Sequence, residues 1–391
     1  MSPLEELATL LKPAGGGLYL VSTGVAEQKA LQEKVYGVTS AEAIAQRFQD
    51  NLARIARAKV LILGIPSDVG AGFQRGANLG PQALRLGLLE RDPTFFARHG
   101  ASPGSEHVDV VDIGDVFVVP QLLHDGMLSE GQRHASQDAL YPHLSEEVRR
   151  ALPVASLSIA ERALGLALTL NPDIQPLVLG GDHSTAWPIV SALAEARDRR
   201  GLAPFGIVQV DAHTDLLDHR LGIPYCFATW SYHANERIGR GGRFVQLGIR
   251  ASRRDKAFWE STLGVRQFWA KECLAAPEAT LDAVVSQLQQ AGVRSVYISN
   301  DVDGTDARWI DATGTPEPGG LEPPFVHALL KRLGQEFHLL GADVMELAPN
   351  LRPKPDSAER SIGIAVDYLQ TSLEALLHCR PGSTTTSSST P

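Results

Sequence analysis

The sequence predicts an α/β protein with a central, mostly parallel sheet between helices, and two observations predict it. Six short apolar runs rich in β-branched residues read as strands buried on both faces, several ending in Gly or Asp: "AKVLILGIP" (58–66), "IQPLVLGGD" (174–182), "PFGIVQVDAH" (204–213), "RFVQLGIR" (243–250), "SVYISNDVD" (295–303) and "HLLGADVMEL" (338–347). Between them, "SIAERALGLALTL" (158–170), "WPIVSALAEARDRR" (187–200) and "EATLDAVVSQLQQAG" (278–292) place apolar residues at i, i+3, i+4 and i+7. Such alternation covers both faces of a parallel sheet, and ligands of such sheets sit at the carboxyl ends of the strands.

Along the chain, residues 1–57 form an N-terminal helical extension ("SAEAIAQRFQDNLARIARA") after a Gly-rich turn at Gly15–Gly17. It is expected to pack on the main domain or on a neighbouring subunit. Residues 58–379 are expected to form one main domain. Residues 380–391, "RPGSTTTSSSTP", are Ser/Thr/Pro-rich and are expected to be a disordered tail.

Composition narrows the classes of function. The formal charge is −9 with no dense Lys/Arg block, which disfavours nucleic acid. Three scattered cysteines without a CxxC pair support neither a zinc knuckle nor a disulfide framework, and a reducing cytoplasm is the natural compartment. Two early glutamates argue against a signal peptide, and no run of 18 apolar residues predicts a membrane span. The glycines of "GAGFQRG" (70–76) fall at i, i+2 and i+6, which is the wrong spacing for a dinucleotide loop.

Three strand ends carry the chemistry: Asp182 and His183; Asp211, His213 and Asp215; and Asp301 and Asp303. Residues i and i+2 share a face at a strand end. Convergence of the tips would gather His183, His213, Asp211, Asp215, Asp301 and Asp303 in one pocket. Four carboxylates together repel, and two divalent cations relieve that repulsion. An oxygen-rich, imidazole-containing set without thiolates suits Mn, Ni, Co or Fe better than zinc. Metal-activated water then points to a hydrolase. A strand-end Asp is more often only a helix cap, but three such tips in one chain argue against that reading. Asp218 and His219 are expected behind the ligands or on the surface.

"GGDHS", "DAHTD" and "SNDVDGTD" resemble the ureohydrolases (arginase, agmatinase and relatives) in order and spacing. So do "GIPSDVGAGFQRGANLGPQALR" (64–85), "DATGTPEPGGL" (311–321) and "DVMELAP" (343–349). The resemblance covers roughly residues 58–375 and implies an arginase-like three-layer α/β/α fold with two divalent metal ions per chain. It assigns His183, Asp211, Asp215 and Asp301 to one metal and Asp211, His213, Asp301 and Asp303 to the other. Glu346 falls where the family grips the substrate guanidinium, and Thr229 and Trp309 are expected beside it as substrate contacts. The resemblance also implies a trimeric or hexameric homo-oligomer and leaves room for metal-loading accessory proteins.

One departure matters. Agmatinase-like relatives carry two histidines after "DAHTD", one of them a proton shuttle. Here "YCFATWSYHANE" keeps His233 but has Phe227 in the first position. With Trp230, Tyr232 and Trp309 nearby, this resembles the guanidine hydrolase branch, whose members prefer nickel, with manganese the alternative. The expected reaction is attack of a metal-bridging hydroxide on free guanidine or a small substituted guanidine, giving urea and ammonia or an amine, with His233 and Glu346 as catalytic groups. The alternatives are an agmatinase, a guanidinobutyrase, an alkylguanidine or biguanide hydrolase, a one-zinc deacetylase, or a non-catalytic partner subunit.

Overall fold

A computed structural model describes residues 1–20, 22–99 and 108–380. Its nine described strands form one sheet: β1 (Leu11–Lys12), β2 (Ala58–Gly64), β3 (Val108–Val116), β4 (Gln175–Leu179), β5 (Gly206–Val210), β6 (Phe244–Ile249), β7 (Arg266–Trp269), β8 (Ser295–Asp301) and β9 (His338–Met345). The order is β1-β3-β2-β4-β9-β8-β5-β6-β7. Neighbours are parallel except β1, which pairs antiparallel with β3.

Alternate residues of a strand point to opposite faces. On β2, Leu61 and Leu63 enter one apolar core, while Val60 and Ile62 enter the other. Helices Ser156–Leu170 and Ala186–Arg199 cover the first face. Helices Pro277–Gln290, Pro323–Glu336 and Ser357–His378 cover the second. This is the expected three-layer α/β/α arrangement.

The six predicted strands are β2, β4, β5, β6, β8 and β9. The other three lacked an apolar signal. β1 has two residues and β7 only four, "RQFW". β3 reads "VDVVDIGDV", and its Asp112 and Asp115 are buried because a fully buried Arg85 pairs with both.

The N-terminal segment belongs to the same body. Helices Pro3–Leu10, Val25–Tyr36 and Ala41–Arg54 send Leu7, Leu10, Leu31, Ile44, Phe48 and Leu52 into the first core. The Gly15 N–H also donates to Asp115 Oδ2 (2.7 Å). The extension therefore packs on its own domain and contributes the edge strand β1. The expected tail lies, beyond Arg380, outside the described residues.

The run β4-β9-β8-β5 at the sheet centre positions the site. All four strands are parallel, so the loops after them open at one end. Val210 pairs with Asn300, which places Asp211 beside Asp301, and Asp301 pairs with Met345, next to Glu346.

Candidate metal centre

The strand ends deliver their side chains because small residues let the backbones converge. A Cβ on Gly181 would lie 1.8 Å from the Ser67 carbonyl oxygen, so only glycine lets the β4 loop run against the β2 loop before His183. Asp182 then anchors the turn by accepting from Ser184 N (2.8 Å) and Gly70 N (2.9 Å).

His183 Nδ1 lies 3.0 Å from Asp301 Oδ2, 3.1 Å from Asp211 Oδ2 and 3.3 Å from Asp215 Oδ2. His213 Nδ1 lies 3.2 Å from Asp303 Oδ2 and 3.5 Å from Asp211 Oδ1. Two groups result that could each hold an ion, His183–Asp211–Asp301 and Asp211–His213–Asp303, sharing Asp211. All six residues singled out in the sequence thus meet. Among the described residues, no Lys or Arg forms an ion pair with the four aspartates of this cluster.

The donor set fits metal ions. His183 Nδ1 is buried without a hydrogen-bond partner, although three carboxylate oxygens converge on it. Its other nitrogen, Nε2, is 3.0 Å from Ser299 Oγ, whose own hydrogen goes to Asp343 Oδ1 (3.0 Å). Ser299 must therefore accept from Nε2–H, which frees the Nδ1 lone pair for a cation.

The electrostatics without ions are those of a site short of positive charge. Burial opposes protonation of both imidazoles, yet the aspartates hold His183 well above its usual range and push His213 up to about 12. Burial, with Asp211 beside it, pushes Asp215 up to about 6. Burial, with Asp303 and Asp211, pushes Asp301 well above the carboxylate range. Asp211 is lowered: burial opposes this, but the two imidazoles beside it prevail.

Several supporting groups lie in the quoted motifs without having been assigned this role there. Trp230 Nε1 donates to Asp215 Oδ2 (3.1 Å), and its ring stacks on His183 with centroids 4.5 Å apart. Trp230 is buried behind the ligands and does not rim a pocket. Thr315 Oγ1 donates to Asp303 Oδ2 (3.0 Å), and Tyr297 OH to Asp343 Oδ2 (2.7 Å). The available clue was a polar residue, Ser299 or Asp343, inside an otherwise apolar strand.

Glu346 follows β9 and accepts from His183 N at Oε1 (2.9 Å). Burial and the charge of Asp301 push it well above the carboxylate range. Glu346 (φ 64°) and Asp215 (φ 51°) are two of four described non-glycine residues in the left-handed region. That conformation costs roughly 1–2 kcal/mol per residue, and such strain clusters at functional sites.

Other sequence expectations fall elsewhere. His233 Nε2 is bonded to the Pro224 carbonyl (2.7 Å), and its ring packs near Tyr225, Trp187 and Tyr232; none of these contacts is to a cluster residue. The buried Thr229 hydroxyl is committed to the backbone of Cys226, accepting from its N–H (2.9 Å) and donating to its carbonyl (3.0 Å). Trp309 is 38% exposed and donates to Glu322 Oε2 (2.8 Å). Phe227 packs against Gly72 and carries the Arg220 guanidinium 4.9 Å above its ring. Asp218 and His219 pair at 2.9 Å on the surface.

Comparison with known proteins gives consistent matches. A family model described as the arginase family matches residues 58–370. The mitochondrial agmatinase of Gallus gallus is 32% identical over 295 residues, covering 73% of each chain. The guanidinobutyrase of Pseudomonas aeruginosa is 30% identical over 291 residues, 73% of this chain and 78% of the relative. The solved proclavaminate amidino hydrolase from Streptomyces clavuligerus superimposes with a TM-score of 0.58 at 25% identity, covering 82% of this chain and 92% of that one. An arginase from Bacillus subtilis shares the fold, with a TM-score of 0.57 at 19% identity over 81% of this chain and 98% of its own.

Proposed function

This chain belongs to the arginase family, and from that premise we propose that it hydrolyses a C–N bond of free guanidine or a small substituted guanidine. The observation that carries the proposal is the six-residue cluster of two imidazoles and four carboxylates with Glu346 beside it. In this reading His183, Asp211, Asp215 and Asp301 hold one divalent ion, and Asp211, His213, Asp301 and Asp303 hold a second. Nickel is favoured by the resemblance to the guanidine hydrolase branch and manganese is the alternative; the thiolate-free donor set suits both. Bound divalent cations supply Lewis-acid activation of water at neutral pH.

The chain's own groups do the rest. Glu346 keeps Oε2 for the substrate, since Oε1 already accepts from His183 N, and a guanidinium N–H donates to it in a charge-assisted bond. Thr315 and the Ala212 N–H (3.1 Å to Oδ1) fix the Asp303 carboxylate. Water adds to the guanidinium carbon, the C–N bond breaks, and urea leaves with ammonium or an alkylammonium ion. His233 supports the loop in this reading, because its Nε2 is held by the Pro224 carbonyl.

Relatives named agmatinase and guanidinobutyrase favour a second reading in which the guanidino group carries an alkyl chain. The resemblance of "YCFATWSYHANE", with Phe227 in the first histidine's place, to the guanidine hydrolase branch supports the smaller substrate, although the Phe227 ring face is covered by Arg220. Urea release from guanidinium, methylguanidine, guanidinobutyrate and agmatine, after loading apo-protein with Ni2+ or Mn2+ separately, tests this. Turnover of guanidinium above the others is expected; inert guanidinium with rapid agmatine cleavage would establish the second reading.

A further inference from the structure

The sheet face behind the cluster carries a row of buried amides. Gln209 on β5, Gln246 on β6 and Gln267 on β7 are cross-strand partners, and all three are fully buried. Trp269 Nε1 donates to Gln267 Oε1 (3.0 Å), and Gln267 Nε2 donates to Gln246 Oε1 (2.8 Å). Gln246 Nε2 donates to Gln209 Oε1 (2.6 Å), and Gln209 Nε2 donates to Asp211 Oδ2 (2.6 Å). Gln246 Nε2 also reaches the Thr214 carbonyl (2.7 Å), and Ser231 Oγ donates to Gln209 Oε1 (2.9 Å).

The two ends fix the direction of this chain. An indole N–H can only donate, and an ionised carboxylate can only accept. Turning any one amide over would set N–H against N–H or carbonyl against carbonyl. Each bond so lost at a buried site leaves a polar group unpaired and carries its full desolvation penalty. Apolar side chains would fill the same space without that constraint, so the row needs a reason beyond packing. Its inner end is Asp211, the residue shared by both candidate ion-binding groups.

We infer that Trp269, Gln267, Gln246 and Gln209 form a positioning relay that sets the metal affinity of the cluster. It does so by holding the Asp211 carboxylate with Oδ2 toward His183 and Oδ1 toward His213. Asp211 Oδ1 accepts from His213 N (2.6 Å), so one bond at each oxygen locks the rotation of the carboxylate plane. The inference rests on reading the cluster as a metal centre. It makes the half-buried Trp269, on an edge strand, a remote determinant of that centre.

Chelator competition with Mn2+ and with Ni2+ on the full-length apo-protein measures the effect directly. Gln209→Met is expected to weaken binding about 10- to 100-fold, the range for groups that orient metal ligands. Gln267→Met, whose side chain touches no ligand, is expected to weaken it about 3- to 10-fold through loss of the shared polarity. The double variant should bind no more weakly than Gln209→Met alone, because the chain is already broken. Trp269→Phe, at the half-buried end, should weaken binding at least twofold and serves if the core variants do not fold. Wild-type affinity in both Gln267→Met and Trp269→Phe would overturn the relay while leaving the metal centre standing. A wild-type protein that takes up neither ion would overturn both.

Discussion

Glu346 illustrates how much one side chain must do. Its backbone sits in the left-handed region, its Oε1 holds the His183 loop, and its remaining oxygen is the one proposed to meet the substrate guanidinium. Glu346→Gln keeps the shape but removes the charge. The loss of a charge-assisted hydrogen bond, about 1.5–3 kcal/mol, should lower kcat/KM about 10- to 100-fold with metal content unchanged. Steady-state kinetics paired with metal analysis check this, and a fully active variant would remove Glu346 from substrate binding. Of the six cluster residues, Ser299 Oγ is bonded to His183, and its hydrogen goes to Asp343. Ser299→Ala should weaken metal binding about 10- to 100-fold without touching substrate, as titration of the apo-variant would reveal. The six cluster residues were legible in the sequence because acids and imidazoles at three strand ends have few other uses. Ser299, Asp343 and Trp230 lie inside the same quoted motifs, but their roles were not legible, because those depend on which strand lies next to which.

At the scale of elements, the strands flanking the site differ in how openly the sequence declares them. β4, β5, β8 and β9 are buried on both faces and read as strands from composition. β3 does not, because its aspartates are made compatible with burial by an arginine on a distant helix, Gly80–Arg91. Arg85 Nε and Nη2 clasp Asp112, and Nη1 lies 2.5 Å from Asp115 Oδ1. Arg85→Met would leave two carboxylates buried without a counter-charge. Removing one partner of a buried pair costs about 3–5 kcal/mol, so urea denaturation should show a loss of that order. Asp115 also accepts from Gly15 N, so the same variant should loosen the N-terminal segment. Faster proteolysis near Gly15–Gly17 would report that loosening. The boundary expected at residue 58 rested on the first apolar strand, Ala58–Gly64. The burial of Leu7, Leu10 and Phe48 in the main core depends on long-range packing that local pattern does not carry.

For the whole molecule, the charge of the cluster links metal, protons and stability. Burial, with Asp211 beside it, raises Asp215 to about 6, so between about pH 4 and 6 the folded metal-free chain holds a proton that the unfolded chain has released. Stability contributed by that proton is lost as pH rises from about 4 through 6. His213 has the same sign: its contribution is full below its unfolded value and fades as pH climbs toward about 12. Divalent cations replace those protons, so metal binding should strengthen as pH rises. The gain in Tm on adding Mn2+ or Ni2+ should therefore grow from pH 5.5 to pH 8. A gain that shrinks over that range would contradict the account.

The central claim is that this sheet end holds two ions through six residues, Asp211 and Asp301 serving both. Anomalous X-ray scattering from crystals of the Mn- or Ni-loaded protein tests it most directly. Two peaks are expected, one among His183, Asp211, Asp215 and Asp301 and one among Asp211, His213, Asp301 and Asp303, with the second lost in Asp303→Ala. A single peak, or none in crystals grown with saturating metal, would contradict it.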